Sequence, residues 1–152
     1  MSVAFRREGD DEHKEPEFEL PIPVGPNLVT PRGLELLIAK DAGLAAQVAA
    51  EQDAGALKKL KREHRYWATR RATAQVAPPP EPGVAGIGSR VTIRRDGAEQ
   101  SFTIVGHDEA DPAAALLAFT APLARAVMAA EAGEFVAFGG DEDAIELVSV
   151  AP

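Results

Sequence analysis

The chain has 152 residues, room for one ordinary domain or for a small domain plus an extended element that needs little core of its own. It has no cysteine, which excludes disulfides, thiolate catalysis and cysteine-ligated zinc, and with six Phe, one Trp and one Tyr it is poorly supplied for a large aromatic-lined cofactor cavity. Its apolar runs fall short of the roughly 20 residues that cross a bilayer, and its charged start, "MSVAFRREGDDEHKE", is unlike a signal peptide, so a cytoplasmic protein with no membrane association is expected.

The net charge of −8 hides a strong segregation. Between Glu8 and Glu19 seven acids face one base, Lys14; from Lys58 to Arg71 seven bases face one acid, Glu63; from Asp96 onward Arg125 is the only base. Residues 1–27 add four prolines and almost no apolar periodicity, which predicts a disordered or extended leader. At "NLVTPRGLELL" a helix is expected to start, with Thr30 as N-cap and Pro31 in the first helical position, where its missing N–H costs nothing. Leu34, Leu37, Asp41, Leu44 and Val48 fall on one 3–4 stripe of that helix. A second run, Ala56 to Val76, places Leu57, Leu60, His64, Trp67, Arg71 and Ala74 on another. Two such helices joined by a few residues fold back antiparallel, which predicts a helical hairpin over residues 28–77 with "EQDAG" at its tip.

"APPPEPGVAG" breaks the helix, because consecutive prolines cannot continue it, and residues 78–85 read as a linker. Residues 86–152 then change from helical to alternating periodicity. "SRVTIRR" and "EQSFTIV" flank "DGA", a tight hairpin signal; "ALLAFT", "EFVAF" and "AIELVSV" are further strands, and "PLARAVMAA" is a short helix opening at Pro122. The whole is expected to be α+β: an N-terminal antiparallel helical hairpin followed by a small antiparallel β-sheet domain with one short helix.

The strings "IGSRVTIRRDG", "FTIVGHDEADPAAALLAFTAPLARAV" and "AGEFVAF" resemble the C-terminal domain of the Gre transcription elongation factors, the bacterial GreA/GreB-like transcript-cleavage family. "ELPIPVGPNLVTPRGLELL" resembles the entry to that family's N-terminal coiled coil, and the likeness covers residues 17–48 and 84–150. It implies a coiled-coil hairpin on an FKBP-like domain, acting as a monomer, and it implies RNA polymerase as partner, gripped at the rim of its secondary channel. The family's polymerase-contacting positions correspond to Asp108, Glu109, Asp111, Pro122 and Leu123. The chain departs from the family at Ala121, where serine is usual, at Ala130, where glycine is usual, and at His107, where an acid is common.

The tip departs further. A cleaving Gre factor presents a glycine-aspartate pair, a glutamate-asparagine pair and a tyrosine, and its carboxylates help hold Mg²⁺ in the polymerase's active centre. In this chain "EQDAGALKK" stands there, with Glu51 and Asp53 as the hairpin-tip candidates. Residues two apart on a helix point to different faces, so only a non-helical turn could bring them together. The resemblance therefore implies a factor that modulates elongation without stimulating cleavage, as the regulator of nucleoside diphosphate kinase group does, with no catalytic residue and no cofactor of its own. Mg²⁺ would enter only if the tip acted in the polymerase. Two alternatives stand beside it: a true cleavage factor using Glu51 and Asp53, and an adaptor domain unrelated to polymerase.

The basic band, Lys58, Lys59, Lys61, Arg62 and Arg65, reads either as a solubilising helix face or as a non-specific contact to nucleic acid or acidic polymerase surface in the channel. His64 reads as a seam residue, since His13 and His107 are too distant in sequence to complete a metal site. Trp67, with Tyr66 beside it, is expected to pack the hairpin against the C-terminal domain.

Overall fold

The computed structural model describes residues 18–152; the leader reading of residues 1–17 lies outside the described residues. Residues 18–27 form neither helix nor strand. Strand β1 (Leu28–Val29) leads into helix α1 (Pro31–Ala50). The Thr30 hydroxyl accepts from the Gly33 N–H at 3.0 Å and Pro31 occupies the first turn, so the helix begins where a side-chain cap and a donor-free residue coincide. Twenty residues make a rod of about 30 Å.

Helix α2 (Ala54–Thr73) returns after a turn in which Glu51 and Asp53 are both extended. It starts two residues before the expected Ala56, because the Asp53 carboxylate caps it by accepting from the Ala56 N–H at 2.8 Å. It also stops before Val76, because strand β2 (Gln75–Val76) pairs in parallel with β1, Leu28 opposite Gln75 and Val29 opposite Val76. This two-stranded ladder closes the base of the hairpin.

Along the hairpin Leu37 and Leu44 are buried, and Leu34, Asp41 and Val48 are half-buried, as are Leu57, Leu60, His64 and Trp67 of α2. The seam is polar at its centre. Asp41 bridges the helices, Oδ1 to His64 Nε2 at 2.7 Å and Oδ2 to Arg71 Nη1 at 2.9 Å. The Arg71 bond, and after it the His64 bond, hold the Asp41 carboxyl below the usual carboxylate range.

The second unit is a five-stranded sheet in the order β5–β4–β3–β7–β6. Strands β3 (Arg90–Arg95) and β4 (Ala98–Val105) form a hairpin whose Asp96 and Gly97 have φ of 53° and 77°, the left-handed pair that a tight two-residue turn demands. On the other side of β3 lies β7 (Asp141–Ala151), antiparallel to it, with β6 (Phe135–Phe138) antiparallel at the edge. The sheet differs from the all-antiparallel expectation at β5 (Leu116–Ala118), which runs parallel to β4 with Thr103 opposite Leu116. Residues 106–115 carry two single-turn 3-10 helices, His107–Glu109 and Pro112–Ala114, and they return the chain to the start of that ladder instead of reversing it.

Helix α3 (Pro122–Val127) lies on the sheet and buries Ala124 and Val127 completely. It is shorter than "PLARAVMAA" suggests because Met128 leaves helical geometry and Ala129 takes a φ of 66°. Val91, Ile93, Phe102, Ile104, Ile145 and Leu147 complete the core. No described helix is long and apolar enough to cross a membrane.

Candidate functional site

Asp108 and Glu109, the two adjacent acids of the loop after β4, turn inward. Asp108 Oδ2 accepts from Arg70 Nε at 2.7 Å and its Oδ1 accepts from the Tyr66 hydroxyl at 2.5 Å. Arg70 Nη2 donates on to Asn27 Oδ1 at 2.8 Å, and Asn27 Nδ2 donates back to the Arg70 carbonyl at 2.7 Å. The Arg70 and Asp108 side chains are only 3% and 4% exposed. Burial, and after it the bond to Asp108, push the Tyr66 hydroxyl up to about 12.

Glu109 completes this joint. Its carboxylate accepts from the Thr30 hydroxyl at 2.5 Å, the Thr30 N–H at 3.2 Å and the Gly106 N–H at 3.1 Å. Thr30 thus caps α1 and ties it to the sheet domain at once. Two glycines make the approach possible: a methyl at Gly33 would overlap the Glu109 carboxylate, and one at Gly106 would lie 2.6 Å from the Leu28 carbonyl oxygen.

Sequence reasoning did not bring Asn27, Tyr66, Arg70 and Thr30 together with the two acids, since the partners are 38 to 79 positions apart. Tyr66, not Trp67, is the aromatic whose hydroxyl reaches the loop. Trp67 lies under Lys40 Nζ, 5.3 Å from the ring centroid, and edge-on to Tyr66 at 5.1 Å. Of the five positions marked as contacts for a partner, only Asp111 and Pro122 are exposed; Leu123 is half-buried and the Asp108 and Glu109 side chains are spent on the joint. Burial takes those two carboxylates off the surface that a partner could touch.

At the tip, Glu51 Oε1 accepts from the Asp53 N–H at 3.0 Å, and Asp53 Oδ2 accepts from the Ala56 N–H. Each carboxylate serves the backbone of its own turn. A paired-carboxylate Mg²⁺ holder needs oxygens converging on one point, whereas one oxygen of each carboxylate is engaged by a backbone N–H of the turn. No group of three or more acids and histidines able to hold a metal occurs among the described residues.

The basic band lines a groove of about 400 Å³ along α2, formed by Gly55, Lys58, Lys59, Lys61, Arg62 and Arg65. Glu19 closes one end, its carboxylate gripped by Arg65 through Nε at 2.8 Å and Nη2 at 2.6 Å. That bond holds the Glu19 carboxyl below its ordinary value. Arg62 Nε is buried in the hairpin with no hydrogen-bond partner among the described residues. A second cleft of about 500 Å³, between the proline linker and the end of β7, is lined mainly by apolar side chains, Val76, Pro79, Pro80, Ile87 and Val150 among them, with Thr30, Glu81 and Ser89 as its polar members.

Residues 79–150 match the family described as "Transcription elongation factor, GreA/GreB, C-term". The sheet domain belongs to the GreA/GreB family. Within that match, transcription elongation factor GreA of Thermomicrobium roseum is 43% identical over 53 residues, 35% of this chain and 34% of the relative. GreA of Bacillus cereus is 36% identical over 74 residues, 46% of this chain and 47% of the relative. The matched segments therefore span less than half the length of these curated relatives. Two solved structures align with most of this chain at low similarity. GreA factor homolog 1 of Thermus thermophilus has 15% identity and a TM-score of 0.40, over 84% of this chain and 100% of that one. A GreA/GreB factor from Nitrosomonas europaea has 18% identity and a TM-score of 0.40, over 85% and 100%. In this GreA/GreB domain Ala121, at the head of α3, supplies no side-chain cap, so the helix relies on Pro122 alone for its start.

Proposed function

We propose that the protein is a Gre-like factor that binds RNA polymerase at the rim of the secondary channel and modulates transcription elongation without stimulating RNA cleavage. The observation that carries the second half of this reading is the tip: Glu51 and Asp53 bond to the turn that holds them, one accepting from Asp53 N–H and the other capping α2. The first half rests on the GreA/GreB domain. Asp111, Pro122 and Leu123 form its candidate contact surface, because Asp108 and Glu109 instead fix the angle at which the hairpin leaves the domain. The chain contributes no catalytic group; its hairpin acts by occupying space in the channel, and the basic groove adds sequence-independent attraction for phosphates.

The test is a backtracked polymerase complex with labelled transcript, titrated with the protein in Mg²⁺. Intact RNA together with competitive block of an added cleaving factor is the expected result. Shortening of the RNA from its 3′ end would overturn the inert tip and make Glu51 and Asp53 the residues to substitute. Absence of any polymerase binding would move the adaptor reading to first place.

A further inference from the structure

Where the hairpin meets the sheet domain the chain leaves an apolar cleft of about 500 Å³ that the polymerase-binding reading does not use. Pro31 and Val76 line it from the hairpin, Pro79 and Pro80 from the linker, and Ile87 and Val150 from the sheet domain. Each wall is held in place. Val76 pairs with Val29, Ala77 N–H donates to the Val29 carbonyl at 2.9 Å, and Val150 stands opposite Val91 in the sheet. The far end of the linker is pinned as well: Val84 bridges Glu131, and Ala85 N–H donates to the Ala130 carbonyl at 2.8 Å. Pro80 packs so closely on Gly86 that a methyl there would lie 2.8 Å from the ring. Proline, with its φ fixed, has little freedom left to lose when a ligand arrives. The cleft is therefore preformed, and its volume falls within the roughly 300–1,000 Å³ of sites that hold small organic molecules.

Its polar members define what such a molecule can be. Thr30 spends its hydroxyl on Glu109 and on the Gly33 N–H. Ser89 keeps its proton unspent. It is 1% exposed, its Oγ accepts from the Gly86 N–H at 3.0 Å, and its own O–H has no acceptor among the described residues. A buried donor without a partner costs free energy that an acceptor oxygen on a ligand recovers. Glu81 is the only charged side chain among the described lining residues, so an anionic ligand would meet no counter-charge.

We propose that this cleft binds an uncharged, mainly apolar small molecule that presents a carbonyl oxygen to Ser89 and braces the base of the hairpin against the sheet domain. Its walls come from both units, so the complete site exists only while they are docked, and occupancy stabilises the docked arrangement by mass action. The site does not depend on polymerase binding, and its failure leaves that reading untouched.

The experiment uses the purified full-length chain and prodan, a neutral naphthalene ketone whose emission shifts to the blue in apolar surroundings. Saturable binding of one prodan per chain is expected, with slower hydrogen exchange in β1, β2 and residues 77–89 when it is bound. Val76→Lys, at an exposed position in the hairpin-side wall, should weaken binding by about tenfold or more, because it puts a charge against the apolar ligand. Ser89→Ala should weaken prodan by about fivefold, the worth of one hydrogen bond. The same substitution should leave 2-dimethylaminonaphthalene, which lacks the ketone, bound as to the parent, and this second probe separates a lost donor from a distorted cleft. Absence of saturable binding, binding indifferent to Val76→Lys, or equal weakening of the two probes by Ser89→Ala would overturn the proposal.

Discussion

The sheet domain wholly buries Val91, Ile93, Ile104, Ile145 and Leu147 between facing strands and α3, whereas the two helices of the hairpin bury only Leu37 and Leu44 among their large apolar side chains. In the first region apolar area leaving water is the dominant stabilising term, at about 25 cal/mol per Å². In the second, cohesion comes from polar bridges such as Asp41 to His64 and Arg71, and from docking through a buried Arg70–Asp108 pair. The difference teaches that the hairpin owes its order to the domain beneath it. A 20-residue helix with so narrow a seam is marginal alone, and the joint supplies what the seam lacks.

Substitution at the joint tests that dependence most severely. Asp108→Ala leaves Arg70 buried without its carboxylate and Tyr66 without its acceptor, and should cost about 3–5 kcal/mol. Hydrogen exchange should show α1 and α2 losing protection while β3, β4 and β7 keep theirs; equal loss in the sheet would break the comparison. Ile104→Ala works from the opposite side. A large-to-small change at a wholly buried sheet position should cost about 2–5 kcal/mol, read by urea unfolding of the β-domain, and the hairpin should fall with it because its anchor is lost.

At the tip, Asp53→Ala removes one cap and should cost about 1 kcal/mol, seen as fraying of the first turn of α2 by NMR. The joint and the sheet are expected to be unmoved.

The smallest effect is a pH dependence. The folded chain holds the Tyr66 proton up to about 12 whereas an unfolded tyrosine loses it near 10, so the folded state binds more protons between those values. The joint's contribution is whole below pH 10 and declines as pH rises toward 12. Tyr66→Phe should flatten that alkaline decline in a thermal-denaturation series, and an unchanged slope would place the ionisation elsewhere.

Local signals carried much of the fold. Thr30 before Pro31 marks a helix start because both effects act within one turn, and Asp96–Gly97 marks a hairpin because few residues tolerate positive φ. That Asp41 and His64 each lie on the seam stripe of their own helix was also readable from a 3–4 spacing, whereas their pairing across the seam came only with the structure. The parallel pairing of β5 was not readable, because a strand of three residues carries no direction in its side-chain pattern. The joint was invisible for a related reason. Asp108 and Glu109 look in sequence like any exposed loop acids, and only their distant partners turn them into buried anchors.

The sequence by itself determined the division into an acidic leader, a helical hairpin with a basic second arm and a β-domain of recognisable family, because periodicity, capping and charge blocks act over short stretches of chain. Tertiary structure alone decided the fate of individual polar side chains: that Glu51 and Asp53 serve their own turn, that Glu109 joins Thr30 across 79 positions, and that Arg65 takes Glu19. A carboxylate's role depends on which donors surround it, and those donors are gathered by the fold from far along the chain.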